Sequence, residues 1–329
     1  MRREPTHAGK LPAWERVVFG LVFALMAAFV VAVTVSAAHA QRSGLRPGAG
    51  VPASVLPDSV LPAGPAPAAR VQTGAGALGT GQAAPAGDQA ALNRKLAAAL
   101  RPEERAGSER LAVGVIDLST GAEALYGARL RFPAASVMKA DILAVLLLQH
   151  QVSGSQLSNR EAELAVAMIE SSDDGAATSL WRSLGGGRAI SAANQRLGLL
   201  HTTPGKAGNW GRSRTTVADQ LRLLADLTAA TSPLTAQSRD YELGLMQDVQ
   251  PDQQWGVTAA ATPGSGRAVR DGWMANPTLW VVNSIGVVEH AGHRLLLAVL
   301  SDRNATKAAG VAAVATAART AARVLSQTS

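Results

Sequence analysis

Ser136 and Lys139 stand three residues apart in Pro133-Ala134-Ala135-Ser136-Val137-Met138-Lys139-Ala140-Asp141, just ahead of the apolar run from Ile142 to Leu148. If that stretch opens a helix, the two side chains share one face, one turn apart. A serine hydroxyl is a weak nucleophile and needs a neighbouring base. A lysine can serve when burial or a nearby cation lowers its pKa. The free N–H groups and partial positive charge of a helix N-terminus would favour an anion developing beside Ser136. The same residues also fit a plainer reading, with Ser136 near the N-cap and Lys139 solvated on the first turn.

Two further clusters carry polar chemistry. Ser172-Asp173-Asp174 lies between two helical stretches. Ordinary capping would use the same residues, Ser172 or Asp173 as N-cap and Asp174 beside the helix dipole. Arg270-Asp271-Gly272-Trp273 enters a strand, where a solvated edge with a glycine bulge is the alternative. Other candidates are weaker. Glu289-His290-Ala291-Gly292-His293 offers two histidines in a hairpin turn with no third ligand, so no metal site is expected. His150 is read as ending a helix and His201 as lying in a loop. No serine sits in a G-x-S-x-G elbow. Gly74-Ala75-Gly76-Ala77-Leu78-Gly79 is formally G-x-G-x-x-G, but no strand precedes it, so a nucleotide site is not expected.

Positioning these clusters requires the following elements. Gln89 to Leu100 has helical spacing, with Leu92, Leu96 and Leu100 on one face. Leu111 to Leu118 and Ala122 to Tyr126 read as a hairpin around Ser119-Thr120-Gly121. The Ser136 helix follows. Further helices are predicted at Arg160 to Ser171, Gly175 to Leu184, Ala189 to Leu197, Thr216 to Leu227 and Ala236 to Val249. Strands are predicted at Val269 to Trp273, Thr278 to Val288 and Arg294 to Leu300, the last apolar throughout, as when both sheet faces are covered. Ala305 to Leu325 reads as a closing helix. The fold expected is α+β: one antiparallel five-stranded sheet flanked by helices, with an all-helical lobe.

The folded domain spans 89–329. Ahead of it, the basic segment 1–16 carries Arg2, Arg3, Lys10 and Arg16, and 17–38 is uncharged. That length suits one transmembrane helix, with the basic side cytoplasmic and the rest extracytoplasmic. The protein is expected at the cell membrane as a single-pass chain; Ala38-His39-Ala40 also fits a signal-peptidase site, in which case it is secreted after cleavage at Ala40. Residues 41–88, rich in Pro, Ala and Gly, read as a disordered linker. The chain has 0 Cys, which excludes disulfides, thiolate catalysis and cysteine-based zinc. Its net charge of +7, from 31 Lys+Arg against 24 Asp+Glu, comes from dispersed arginines with no basic run interleaved with aromatics, so nucleic acid is not an expected partner.

Taken together and in order, the three clusters resemble those of the class A β-lactamase and penicillin-binding serine hydrolase family. Ser136-Val137-Met138-Lys139 matches S-x-x-K in full. Ser172-Asp173-Asp174 matches S-D-N at two positions of three, with Ile169 before and Ala176-Ala177 after. Arg270-Asp271-Gly272 matches K-T-G at the glycine and keeps a cation at the first position. Ser213-Arg214-Thr215-Thr216 resembles the helix start that follows the family's Ω-loop. The resemblance covers Gln89 to the C-terminus and implies a β-lactamase/transpeptidase-like fold. It further implies a nucleophilic Ser136, Lys139 as its base (directly or through Ser172), Ser172 as proton donor to the leaving nitrogen, and an oxyanion hole of the Ser136 and Trp273 backbone N–H groups. Arg270 would pair with a substrate carboxylate, and Gly272, Asp174 and Asp271 would line the substrate site. The implied ligand is a β-lactam or a peptidoglycan peptide, taken by a monomer without cofactor. Three departures matter. Gly175 to Ala218 contains no Asp or Glu, so the Ω-loop base of the family is missing and deacylation should be slow. Asp174 in place of asparagine should hold Lys139 charged. Asp271 should put negative charge beside the substrate carboxylate. A D-Ala-D-Ala carboxypeptidase and a non-catalytic peptidoglycan-binding module on the same fold are the alternatives.

Overall fold

A computed structural model describes residues 86–104 and 110–327. The expected membrane segment lies outside the described residues, as does all but the end of the expected linker.

The elements run in the expected order. Helix α1 (Ala86–Glu104) is followed by strands β1 (Arg110–Asp117) and β2 (Glu123–Tyr126), then a short strand β3 (Phe132–Pro133). A 3₁₀ turn (Ala135–Val137) leads into α2 (Met138–Ser153). The helical lobe continues with α3 (Asn159–Glu170), α4 (Asp174–Ser183) and α5 (Gly186–Leu197). After a loop come β4 (Arg214–Thr215), α6 (Val217–Thr228) and α7 (Ala236–Gln247). Strands β5 (Arg267–Asn276), β6 (Leu279–His290) and β7 (His293–Asn304) and helix α8 (Lys307–Ser326) close the fold.

The five long strands form one antiparallel sheet in the order β2-β1-β7-β6-β5, so the last strand of the trio, β7, pairs with β1 of the chain-distant hairpin and β5 forms the far edge. Side chains alternate between its faces. Leu295, Leu297 and Val299 of β7 join Leu92, Leu96 and Leu100 of α1 and Val314, Ala317 and Ala321 of α8. Leu296, Ala298 and Leu300 face the other way, into the core shared with α2 and α6. This two-sided burial explains the unbroken apolar run. Among the described residues, α8 is the one helix long and apolar enough to cross a membrane; half of its most apolar stretch is buried in the fold, and it is the inner helix of the sheet layer. Gly310 lets it approach, because a Cβ there would lie 2.4 Å from Val282 Cγ2.

Helix α2 runs through the middle of the lobe, and its residues Met138 to Leu148 are all buried. It stops at Gly154, whose φ of 67° permits the left-handed cap. Its neighbours start on side-chain caps: a Ser158/Glu161 capping box on α3, Asp173 on α4 and Thr216 on α6. Inside the lobe, Asp141 and Glu242 are fully buried. Asp141 accepts one bond from Asn194 at 2.9 Å, and neither Glu242 oxygen has a partner among the described residues. Burial drives both carboxyls up, Asp141 to about 7, and their mutual repulsion adds to the rise in Glu242.

Two outcomes follow. Ala replaces Gly with a gain of about 1 kcal/mol at an unhindered helical position. Gly310→Ala is expected instead to destabilise the protein by about 1–3 kcal/mol, read from chemical denaturation, because α8 must lift from β6. A raised carboxyl pKa contributes stability below the unfolded value and loses it as pH rises through the folded value. Stability should therefore fall from about pH 4 towards pH 7, and Asp141→Asn should flatten that fall in a pH series of melting temperatures.

Candidate active site

Ser136 does not sit in the first turn of an α-helix, as the spacing predicts. It occupies the 3₁₀ turn ahead of α2, whose first residue, Ala135, has φ of 49°. A non-glycine residue there is strained and persists only where its surroundings hold it. Those surroundings are specific. Asn283 on β6 donates from Nδ2 to the Pro133 and Ala134 carbonyls at 2.8 and 2.9 Å. The Ala134 N–H donates to Ser213 O at 2.7 Å, and β3 pairs with β4, Phe132 opposite Thr215. Gly272 completes the clamp, since a Cβ there would stand 2.5 Å from Ser136 N and 2.7 Å from Val137 N. Only glycine lets β5 lie directly on the backbone of the Ser136 turn. Within the buried run from Phe132 to Leu148, Ser136 is the partly exposed residue. It lines a cleft of about 480 Å³ together with Asp174, Thr178, Trp210 and Trp273. Its hydroxyl has no hydrogen-bond partner among the described residues.

Lys139, on the first turn of α2, has no exposed surface. Its Nζ donates to Ser172 O at 2.7 Å, Ser172 Oγ at 2.9 Å and Asp174 Oδ1 at 2.6 Å. Arg270 is also wholly buried. It donates from Nε to Ser136 O (3.1 Å), from Nη1 to Ile169 O (3.4 Å) and from Nη2 to Ser172 Oγ (2.5 Å). Burial first, then the Arg270 charge, lowers Lys139 to about 8, against the opposing pull of Asp174. Desolvation outweighs the carboxylate, yet at about 8 the ammonium, bonded to Asp174, is still the main form at neutral pH. Burial also lowers Arg270, to about 10. Ser172 is held at φ of 56°, a second strained residue in the site. Its oxygen accepts from both cations, which fills its two lone pairs and leaves its own proton to be donated elsewhere.

Two expectations about the strand motif are corrected. Arg270 was expected to meet a substrate carboxylate, yet its guanidinium is spent on the Ser136 and Ile169 carbonyls and Ser172 beneath the cleft. Asp271 was expected beside that carboxylate. Alternation along β5 turns it to the opposite face, where it is buried and accepts the Trp255 N–H at 2.9 Å. Burial raises it to about 8. The histidines of the β6–β7 turn do not converge: His290 faces the Ala260 carbonyl and His293 faces Asp117. His150 lies in the last turn of α2 against Glu161, and His201 in a loop beside Asp219.

Two residues escaped the sequence reading. Trp210, in the acid-free loop between α5 and β4, sets its ring 5.0 Å from Lys139 Nζ and donates to Thr178 Oγ1 at 3.1 Å. A buried cation over an aromatic face is a favourable pair. Its only sequence signal is a lone large aromatic among small and basic residues. Asn283 signals itself better, as a polar residue in a strand whose neighbours are apolar. Gly272→Ala is expected to separate β5 from the Ser136 turn. It should abolish covalent labelling of Ser136 by a serine-reactive fluorophosphonate, while far-UV circular dichroism stays close to that of the parent.

Comparison with known proteins agrees with this architecture. A Mycobacterium tuberculosis protein that bears the name lipoprotein LppW is 28% identical over 219 residues, covering 64% of this chain and 68% of that one. A class A beta-lactamase from Bacteroides cellulosilyticus superposes with a TM-score of 0.62 at 16% identity, over 72% of this chain and 99% of the other. PBP-A superposes with a TM-score of 0.63 at 20% identity, over 72% and 97%. The model of the beta-lactamase enzyme family matches residues 147–325, from the middle of α2 into α8. A match over more than half the sequence, on a fold shared with class A enzymes, means that the chain belongs to the beta-lactamase enzyme family.

Proposed function

We propose that the protein is an envelope-facing serine hydrolase that takes the acyl group of a β-lactam or related amide onto Ser136 and releases it slowly. The observation that carries this reading is Lys139: a lysine with no exposed surface, brought to about 8, one turn from the partly exposed Ser136 and bonded to Ser172. A group titrating near neutrality suits general base work. In the proposed reaction Ser136 Oγ bonds to the carbonyl carbon as its proton passes to neutral Lys139. The C–N bond then breaks, the leaving nitrogen takes the Ser172 proton, and Lys139 returns a proton to Ser172. The N–H groups of Ser136 and Trp273, on backbones that Gly272 holds together, would bind the oxyanion. A PBP-A variant has been solved as an acyl-enzyme complex with penicillin G, which favours the same chemistry here.

Slow release rests on the loop. Hydrolysis of the ester needs a base for the attacking water, the segment Gly175 to Ala218 offers no acid, and Trp210 covers one side of Lys139. The basic residues ahead of 17–38 and the lipoprotein name of the mycobacterial relative support an envelope location. With no cysteine to carry a thioether-linked lipid, the tether would be the apolar segment itself.

A second reading, a non-catalytic peptidoglycan-binding module, is favoured by one feature. Every hydrogen bond of the Lys139 ammonium goes to Ser172 or Asp174, and none to Ser136. Intact mass of the full-length protein with benzylpenicillin, beside Ser136→Ala, separates the two. A persistent penicilloyl adduct on the parent alone is expected. No adduct, with muropeptide binding unchanged in Ser136→Ala, would establish the binding module. In the same assay Trp210→Glu should shorten the adduct lifetime by up to about 100-fold, the scale of a positioned general base.

A further inference from the structure

Among the residues lining the cleft, Asp174 alone is charged. Its side chain is 76% exposed even though Oδ1 meets the buried Lys139 at 2.6 Å. Oδ2 has no partner among the described residues. The cations able to receive an anionic ligand are elsewhere. Arg270 lies under the floor, bonded to protein oxygens. Lys206 and Arg212 are exposed on the loop, and Arg212 reaches Asn276 at the far rim. Lys307 lies over the Trp273 ring, where it is engaged with the aromatic face. Thr178 cannot compete for Asp174 Oδ2, because its hydroxyl donates to the Asp174 carbonyl and accepts from Trp210.

From this arrangement we infer that the site selects substrates carrying an ammonium group on the acyl side of the scissile bond, bound by Asp174 Oδ2, and that this ammonium releases Lys139 for catalysis. The inference rests on the acyl-transfer reading above. Four charged or polar groups face Lys139. Arg270 and burial push its proton off, while Asp174 and the more distant Asp173 hold it on, and Ser172 bonds to it. An ammonium at Oδ2 shares the carboxylate and adds a second positive charge within a few ångströms. Both effects favour loss of the Lys139 proton to solvent. The neutral amine then loses its tie to Asp174 and can turn to Ser136. The ammonium itself transfers no proton. Asp174 thereby keeps the base protonated in the empty cleft and frees it when the matching substrate arrives.

The test uses two penicillins that differ by one amino group, ampicillin and benzylpenicillin, with the full-length protein. Ampicillin should acylate about tenfold faster, the scale of one charged hydrogen bond. Asp174→Asn should bring the two rates within about twofold. It should also move the onset of acylation to lower pH, since the carboxylate that holds the Lys139 proton is gone. Equal rates for the two penicillins, or a preference untouched by Asp174→Asn, would overturn the inference. Equilibrium binding of both compounds to Ser136→Ala keeps the two readings apart. Tighter binding of ampicillin with no adduct on the parent would retain ammonium recognition and sink acyl transfer. An adduct without ammonium preference would do the reverse.

Discussion

Two cations without exposed surface, Lys139 and Arg270, meet at a single hydroxyl, Ser172 Oγ, and the site is arranged around that meeting. A buried ammonium or guanidinium is tolerable only when its donors find oxygen. The first and last motifs of the chain are 131 positions apart, by the residue numbers of Lys139 and Arg270, and the second motif supplies the shared acceptor. Carbonyl oxygens of Ser136, Ile169 and Ser172 take three of the remaining donors, which ties the nucleophile's own backbone into the network. Removing either cation would strand acceptors and relax the mutual repulsion that lowers the lysine.

The same network explains where backbone strain is tolerated. Ala135, which lines the cleft, and Ser172, which bonds to Lys139, both hold positive φ. Each is fixed from outside its own element. Ala135 follows a strand pinned to β6 by Asn283 and to β4 by pairing. Ser172 is clasped between Lys139 and Arg270. Strain of this kind accompanies the placing of Ser136 in the cleft and of Ser172 Oγ against Lys139 and Arg270. The sheet is the rigid partner in this arrangement, since its two covered faces fix β5 and β6, and β5 and β6 fix the turn.

Much of this was legible beforehand because burial writes periodicity into the chain. Leu92, Leu96 and Leu100 announced α1, and the apolar run of β7 announced a strand covered on both sides. One cap announced a helix start, Asp173, which accepts from Ala176 N at 2.6 Å; Thr216, read as the first residue of its helix, is its N-cap and accepts from Asp219 N at 3.1 Å. The strand motif misled at two of its residues, because alternation sends Arg270 and Asp271 to opposite faces and burial depth is not encoded in a tripeptide. Trp210 stood out only as a lone aromatic in its loop, since nothing local indicates that a loop tryptophan will reach a lysine of another element.

The sequence by itself determined the elements, their order, and the residue types available for chemistry: a serine and lysine one turn apart, a second serine, a cation, a glycine, and no acid in the long loop. Tertiary structure alone decided which of these meet. It set Lys139 near 8 by balancing burial and Arg270 against Asp174, it withdrew Arg270 and Asp271 from the cleft, and it left Asp174 as the cleft's single charge. The reason is physical. Composition fixes which groups can ionise, whereas solvation and the distances between elements distant in sequence fix whether they do.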